Sequence, residues 1–179
     1  MVSPQAVIAF WTAAGPDKWF KRDDAFDQDI RARFLATHEA AAQGKLADWD
    51  ASAEGALALL ILLDQFPRNM FRGTARAFAT DPLARDVATR AIDKGFDRAV
   101  ARRMQSFFYL PFQHSEALAD QERSLALYRA TGDADNIKWA EIHADIIRKF
   151  GRFPHRNAML GRQTTAEEQA FLDDGGFKG

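Results

Sequence analysis

No cysteine occurs among the 179 residues. Disulfides, thiolate nucleophiles, zinc–thiolate sites and iron–sulfur clusters are therefore excluded together. Net charge is nearly absent as well: 24 Lys plus Arg stand against 25 Asp plus Glu, a formal −1 at pH 7. Such a balance gives no electrostatic reason to approach a polyanion, so nucleic acid is not expected as a partner. Long apolar runs are missing too. The longest, ALALLILL at 56–63, is far short of the roughly 18 residues that span a bilayer. The opening MVSPQAVIAFWTAAG lacks a basic leader, and a cytoplasmic protein that does not bind membranes is expected. No G-x-S-x-G, glycine-rich phosphate loop, Rossmann fingerprint or H-E-x-x-H spacing appears. Neither a cofactor nor a metal is therefore expected.

What the chain does contain is hydrophobic bulk, 47% of residues with 15 Phe and 4 Trp, punctuated by helix start and stop signals. Ser3–Pro4 reads as an N-cap with proline in the first turn. Phe26, Ile30 and Phe34 recur every fourth residue along a helix from about Asp24 to Gly44. The stretch from about Ala53 to Gln65 is almost wholly apolar, which predicts a central buried helix that Pro67 ends. Asp81–Pro82 starts another helix that stops at Gly95, and a further one is predicted from Asp97 to Tyr109, ahead of Pro111. Ser115 and Asp135 read as caps of two more, closed by Gly132 and Gly151, and Thr165 with Glu168 forms a capping box. No segment alternates like a strand. The fold class expected is all-α: one domain over 1–179, about seven or eight antiparallel helices and no sheet, arranged as a globular bundle or a stack of helix pairs.

One pattern stands apart. DQFPRNMFRG at 64–73 is echoed by FGRFPHRNAMLGR at 150–162. Each has an apolar helix, then Phe-Pro, then Arg-Asn, then glycine. Arg68, Asn69 and Arg72 in the first copy, and Arg152, Arg156, Asn157 and Arg162 in the second, are candidate ligand-binding residues, because guanidinium forks and amides near a helix end suit a carboxylate or phosphate. The alternative is that the same side chains satisfy helix-end carbonyls and internal carboxylates, with Asp64, Glu116, Asp120 and Asp145 available. His114 and Glu116, in LPFQHSEALADQ, together with His155, are the candidate catalytic groups: a proton carrier, its orienting partner and a second imidazole. His143 shares a face with Trp139, Ile146 and Phe150 and reads as a hydrogen-bonded core histidine. His38 is expected to face solvent.

The segments LLDQFPRNMFRG, FFYLPFQHSEALADQ and FGRFPHRNAMLGR, with the early Phe10–Trp11 and Trp19–Phe20 pairs, resemble a bacterial family, domain of unknown function 924, over about Val7 to Leu172. The resemblance implies an all-helical fold like that of tetratricopeptide-repeat proteins, although the 34-residue signature of that repeat is not readable here. It implies no activity, substrate or cofactor. Three readings of function follow. The first is a binding or scaffold module whose Arg, His and Asn cluster takes an acidic small molecule or the acidic end of a peptide. The second is a hydrolase or transferase on an anionic substrate, with a histidine moving the proton. The third is a purely structural polar network, with function on another surface such as a homodimer face.

Overall fold

The computed structural model describes residues 2–178; residues 1 and 179, the ends of the expected domain span, lie outside the described residues. Eleven α-helical segments and no strand occur among the described residues: α1 (Pro4–Ala14), α2 (Pro16–Trp19), α3 (Asp24–Ala42), α4 (Ala53–Leu60), α5 (Phe66–Met70), α6 (Asp81–Asp93), α7 (Arg102–Gln105), α8 (Leu110–Gln113), α9 (Leu118–Thr131), α10 (Ala134–Phe150) and α11 (Ala166–Asp173). The all-α expectation holds. None of the described helices is long and apolar enough to cross a membrane. The segments group into two compact units: the residues up to Arg72 with Arg76–Pro111, and Gly73–Ala75 with the residues from Phe112 onward.

In the first unit, Ser3 caps α1 by accepting from the Ala6 N–H, and Asp23 caps α3 through the Phe26 N–H. Helix α3 buries Phe26, Ile30 and Phe34 in an aromatic core. There Phe66 meets Trp11 (5.6 Å between ring centroids) and Phe34 (4.8 Å). His38 continues the same every-fourth-residue row and is correspondingly buried, not solvent-facing. Its Nδ1 lies 2.8 Å from the Leu62 carbonyl oxygen. Burial lowers its proton affinity, against that hydrogen bond.

Pro67 does not end the central helix. Instead α4 passes into a π-helical stretch, Ile61–Gln65, and continues as α5 through the proline. The Phe66 N–H reaches back five residues to the Ile61 carbonyl, a widened turn that gives the proline ring room. The change of register and the missing proline N–H would strand buried carbonyls. Side chains from three places take them up: His38 meets Leu62 O, the Thr80 hydroxyl donates to Leu63 O at 2.5 Å, and Arg68 donates to Asp64 O at 2.6 Å. An unmade bond at such a buried carbonyl would cost about 1–3 kcal/mol.

The predicted helix over 97–109 is broken into short pieces, with 3-10 turns at Phe96–Arg98 and Ser106–Phe108 flanking α7. A straight helix would hold residues 97 and 109 about 18 Å apart. The Tyr109 hydroxyl instead donates to the buried Asp97 carboxylate at 2.7 Å, so the chain between them must fold back. Burial, then the hydrogen bond to Asp97, pushes the Tyr109 phenol above its usual range.

The second unit is built on α9, α10 and α11, with a core of Ile146, Ile147 and Phe153 and with Ile142, Phe150, Phe171 and Phe177 packed against it. Asp133, two residues ahead of the expected cap, holds the start of α10 by accepting from the Asn136 N–H. Gly151 ends that helix in the left-handed region (φ 68°), its N–H on the Ile147 carbonyl at 2.8 Å. Ser115 is not the cap of α9: its hydroxyl accepts from the Ala117 N–H and donates to Asp120, and the helix starts at Leu118. The capping box of α11 forms as expected, with Thr165 accepting from the Glu168 N–H and Glu168 from the Thr165 N–H.

Candidate functional site

The two Phe-Pro copies share letters more than backbone. In the first the helix runs through Phe66 and Pro67; in the second it has closed at Gly151, and Phe153–Pro154 opens a single 3-10 turn. What they share is an anchor. Phe66 and Phe153 are both 0% exposed, each a fully buried ring that fixes where the polar residues after it must fall.

Those polar residues meet carboxylates of the protein itself. Arg68 makes a fork–fork pair with Asp81 (Nη1–Oδ1 2.8 Å, Nη2–Oδ2 2.9 Å) and lies 3.3 Å from Asp64 Oδ1. Burial works against its charge, but Asp64 and Asp81 outweigh it, and the guanidinium is held more firmly protonated than usual. Asn69 and Arg72 share one carboxylate: Asp27 accepts from Asn69 Nδ2 at 2.7 Å and from Arg72 Nε and Nη2 at 2.8 and 3.0 Å.

The second copy forms a longer ladder. Glu116 accepts from both Nη groups of Arg162 (2.6 and 2.9 Å) and from the Phe153 N–H (2.8 Å). Arg162 Nε donates to Asn157 Oδ1 at 2.9 Å, and Asn157 Nδ2 donates to Glu168 at 3.1 Å. Glu168 then accepts from Arg152 Nε and Nη2 at 2.6 and 2.8 Å. Two guanidiniums, two carboxylates and a bridging amide alternate, so their formal charges cancel. The hydrogen bonds of Arg152 draw the Glu168 carboxyl down to about 2 against the effect of burial. For Glu116 burial is the largest influence and raises its proton affinity, but Arg162 and the Phe153 N–H together reverse it, and the net shift is downward.

Arg68, Asn69, Arg72, Arg152, Asn157 and Arg162 are therefore held by internal partners. Arg156 is buried as well. It is 7% exposed, and its guanidinium lies over the Phe153 ring at 4.6 Å. His143 and His155 flank the same ring at 5.5 and 5.6 Å. Three basic side chains thus surround one buried phenylalanine, and His114 adds to their field. Of the candidate catalytic residues, Glu116 directs its oxygens to Arg162 and Phe153 instead of orienting His114. No group of three His, Cys, Asp or Glu among the described residues is placed to hold a metal ion.

His143 is the core histidine its helical face predicted. Its Nδ1 sits 2.8 Å from the Trp139 carbonyl oxygen, which makes Nδ1 the protonated nitrogen and Nε2 the one with the lone pair. Burial first, then the positive neighbours His114, Arg156 and His155, bring its pKa down to about 3 despite the Trp139 hydrogen bond.

Four features were not foreseen from sequence: the roles of Asp27, Asp81 and Glu168 as the carboxylates that hold the motif residues, and the cover formed by Phe177, whose ring lies 4.5 Å from His143 and 5.2 Å from His155. A cue existed for Glu168 alone, as the acidic member of its capping box.

The fold and this polar frame define an all-helical protein in which Phe-Pro anchors are pinned by arginine–carboxylate pairs. The chain belongs to the family of bacterial proteins of unknown function DUF924, whose model matches residues 7–176. The solved structure of the protein of unknown function ATU0120 from Agrobacterium tumefaciens is similar, with 50% sequence identity, a TM-score of 0.93, and coverage of 96% of this chain and 97% of that one. Comparison with curated proteins finds no match.

Proposed function

We propose that the protein is a helical binding module for a small anion, a carboxylate or phosphate group, received by the basic cluster of His114, His143, His155 and Arg156. The observation that carries this reading is the convergence of His143, His155 and Arg156 on the Phe153 ring, at 5.5, 5.6 and 4.6 Å. In this reading Arg156 supplies the positive charge, and the imidazole rings and Phe153 form the apolar wall beside it. Within the same unit Glu116 pairs with Arg162, Glu168 with Arg152 and Asp145 with Arg148. The arginine forks at 68, 72, 152 and 162 act in this reading as fasteners that hold the cluster's scaffold.

His143 is poorly suited to proton transfer. A group with a pKa of about 3 is neutral at pH 7 and a weak base, whereas an effective general base titrates near the working pH.

Thermal melts with phosphate, acetate and short acidic peptides, paired with imidazole NMR, test the proposal. A ligand at 100 times its Kd stabilises by about 2.7 kcal/mol, and its negative charge should raise the pKa of His143. Both responses should disappear in Arg156→Gln and His155→Gln. Melts and imidazole shifts that none of these anions changes would overturn it.

A further inference from the structure

We propose that Asp174 is a site of spontaneous backbone modification, where the chain closes to a succinimide with Gly175 and reopens as an isoaspartyl linkage. Asp-Gly occurs once in the sequence, at 174–175, and Asn-Gly not at all. Both residues are exposed, in the turn that follows α11. Gly175 has no Cβ to hinder attack by its own nitrogen, and it sits at φ 83°, where other residues rarely go. Its amide sets this turn apart from the other glycine-ended helices. The N–H groups of Gly95, Gly132 and Gly151 are tied to the Ile92, Arg129 and Ile147 carbonyls at 2.8, 3.2 and 2.8 Å. After α11 the outer bond of a Schellman motif forms, Gly176 N–H to the Phe171 carbonyl at 2.9 Å, but the Gly175 N–H makes no hydrogen bond among the described residues. The neighbouring Asp173 is protected by contrast. It lies in α11 and accepts from Gln169 Nε2 at 2.8 Å, and the amide that would attack it, Asp174 N–H, is held on the Ala170 carbonyl at 2.9 Å.

The reaction balances with water as its only co-reactant. The Gly175 nitrogen bonds to Asp174 Cγ, the Cγ–OH bond of the protonated carboxyl breaks, and the amide proton and the hydroxyl leave together as water. Water then adds to one of the two ring carbonyls. At Cγ it restores aspartate; at the main-chain carbonyl it breaks that carbon's bond to nitrogen and leaves the chain running through Cγ. Ring closure needs a rotation about the Asp174 Cα–C bond, which stands at ψ 11°, to bring the nitrogen beside Cβ. Inside a helix such a rotation would break several backbone hydrogen bonds; past the end of α11 it strains the bond from Gly176 to Phe171. The product carries an extra methylene in the main chain just ahead of Gly176. There even an added Cβ would collide with the Phe171 carbonyl and ring, so the backbone is fitted closely and has no slack to absorb the insertion. The Phe177 ring, 4.5 Å from His143 and 6.2 Å from Trp139 between centroids, is displaced as a consequence.

The test ages the full chain in mildly acidic buffer made with oxygen-18 water, beside a synthetic peptide of residues 163–178, the span that trypsin releases between Arg162 and Lys178. Fragmentation by electron transfer, which separates aspartyl from isoaspartyl linkages, then locates the product. In both samples isoaspartate carrying a heavy oxygen should accumulate at 174 and be absent at 173. Asp174→Glu, whose side chain is too long for the five-membered ring, should lose the signal completely. In the aged protein the His143 imidazole and Trp139 indole resonances should shift in proportion to the isoaspartyl fraction. An aged chain free of isoaspartate at 174, while the synthetic peptide contains it, overturns the proposal, because the folded turn would then protect the site. Equal isoaspartate at 173 overturns it as well, since the hydrogen bonds of the turn would not be selecting the residue. His143 and Trp139 resonances that stay in place in the isoaspartyl form overturn the displacement of Phe177.

Discussion

Replacing Glu168 by glutamine should destabilise the protein by about 3 kcal/mol at neutral pH, and the loss should fade as the solution is acidified. Glu168 is 2% exposed and accepts four hydrogen bonds: two from Arg152, one from Asn157 and one from the Thr165 N–H. Glutamine keeps the shape but removes the charge and puts an NH2 group where a donor already points. Breaking a buried ion pair from one side costs about 3–5 kcal/mol; the Arg152 side chain is 27% exposed, and water can re-solvate it, which favours the lower end. For a chain of this size 1 kcal/mol moves the midpoint by about 2–4 °C, so Tm should fall by about 6–12 °C. The pH dependence has a definite sign. The Glu168 carboxyl has a folded-state pKa of about 2, below its unfolded value of about 4.3. Its stabilising effect is complete above the unfolded value and is lost as pH falls from there toward 2. Urea titrations of both proteins across that range should therefore converge near pH 2. A loss below about 1 kcal/mol at pH 7 would refute the reasoning that this ladder is a buried fastener. So would a loss of equal size at pH 7 and pH 2.5.

Gly55→Ala, ordinarily favourable in a helix by about 1 kcal/mol, should destabilise here by about 3 kcal/mol. The added Cβ would meet the Trp49 carbonyl; circular-dichroism melts will show the sign. Thr80→Val should cost about 1–3 kcal/mol, because the Leu63 carbonyl beside the π-helical turn loses its donor; a variant as stable as the parent in urea would count against the account of how Pro67 is tolerated. Imidazole NMR should find His143 neutral throughout the physiological range, titrating near pH 3 in the absence of anions. A midpoint above 6 would contradict the desolvated setting of His143.

Helix boundaries were legible wherever a local chemical signal sets them: Ser3 as a cap, Gly132 and Gly151 in the left-handed region, the Thr165–Glu168 box. These are interactions within four residues, and short-range stereochemistry decides them. Reading failed where a distant partner overruled the local rule. Pro67 signals a stop, yet His38, Thr80 and Arg68 supply donors to the carbonyls around the widened turn. Residues 97–109 read as one helix, yet the Tyr109–Asp97 hydrogen bond folds the segment back. His38 was misplaced for a simpler reason. A polar residue beside a glutamate looks exposed, although its place in the Phe26–Ile30–Phe34 row fixes it inside.

The sequence by itself determined the all-helical class, most of the helix ends and the location of the polar density at 148–162, because periodicity and capping are properties of neighbouring residues. It also identified both outcomes open to the arginines, as ligand forks or as internal fasteners. Only the tertiary structure could decide between them, side chain by side chain. Whether a guanidinium is neutralised depends on carboxylates such as Asp27, 45 residues from Arg72, and Glu116, 46 residues from Arg162. Those separations carry no local signature. The same holds in part for the groups around Phe153. His155 and Arg156 follow Phe153 within three residues, but His143 comes from α10, and only the packing of that helix brings it to the same ring.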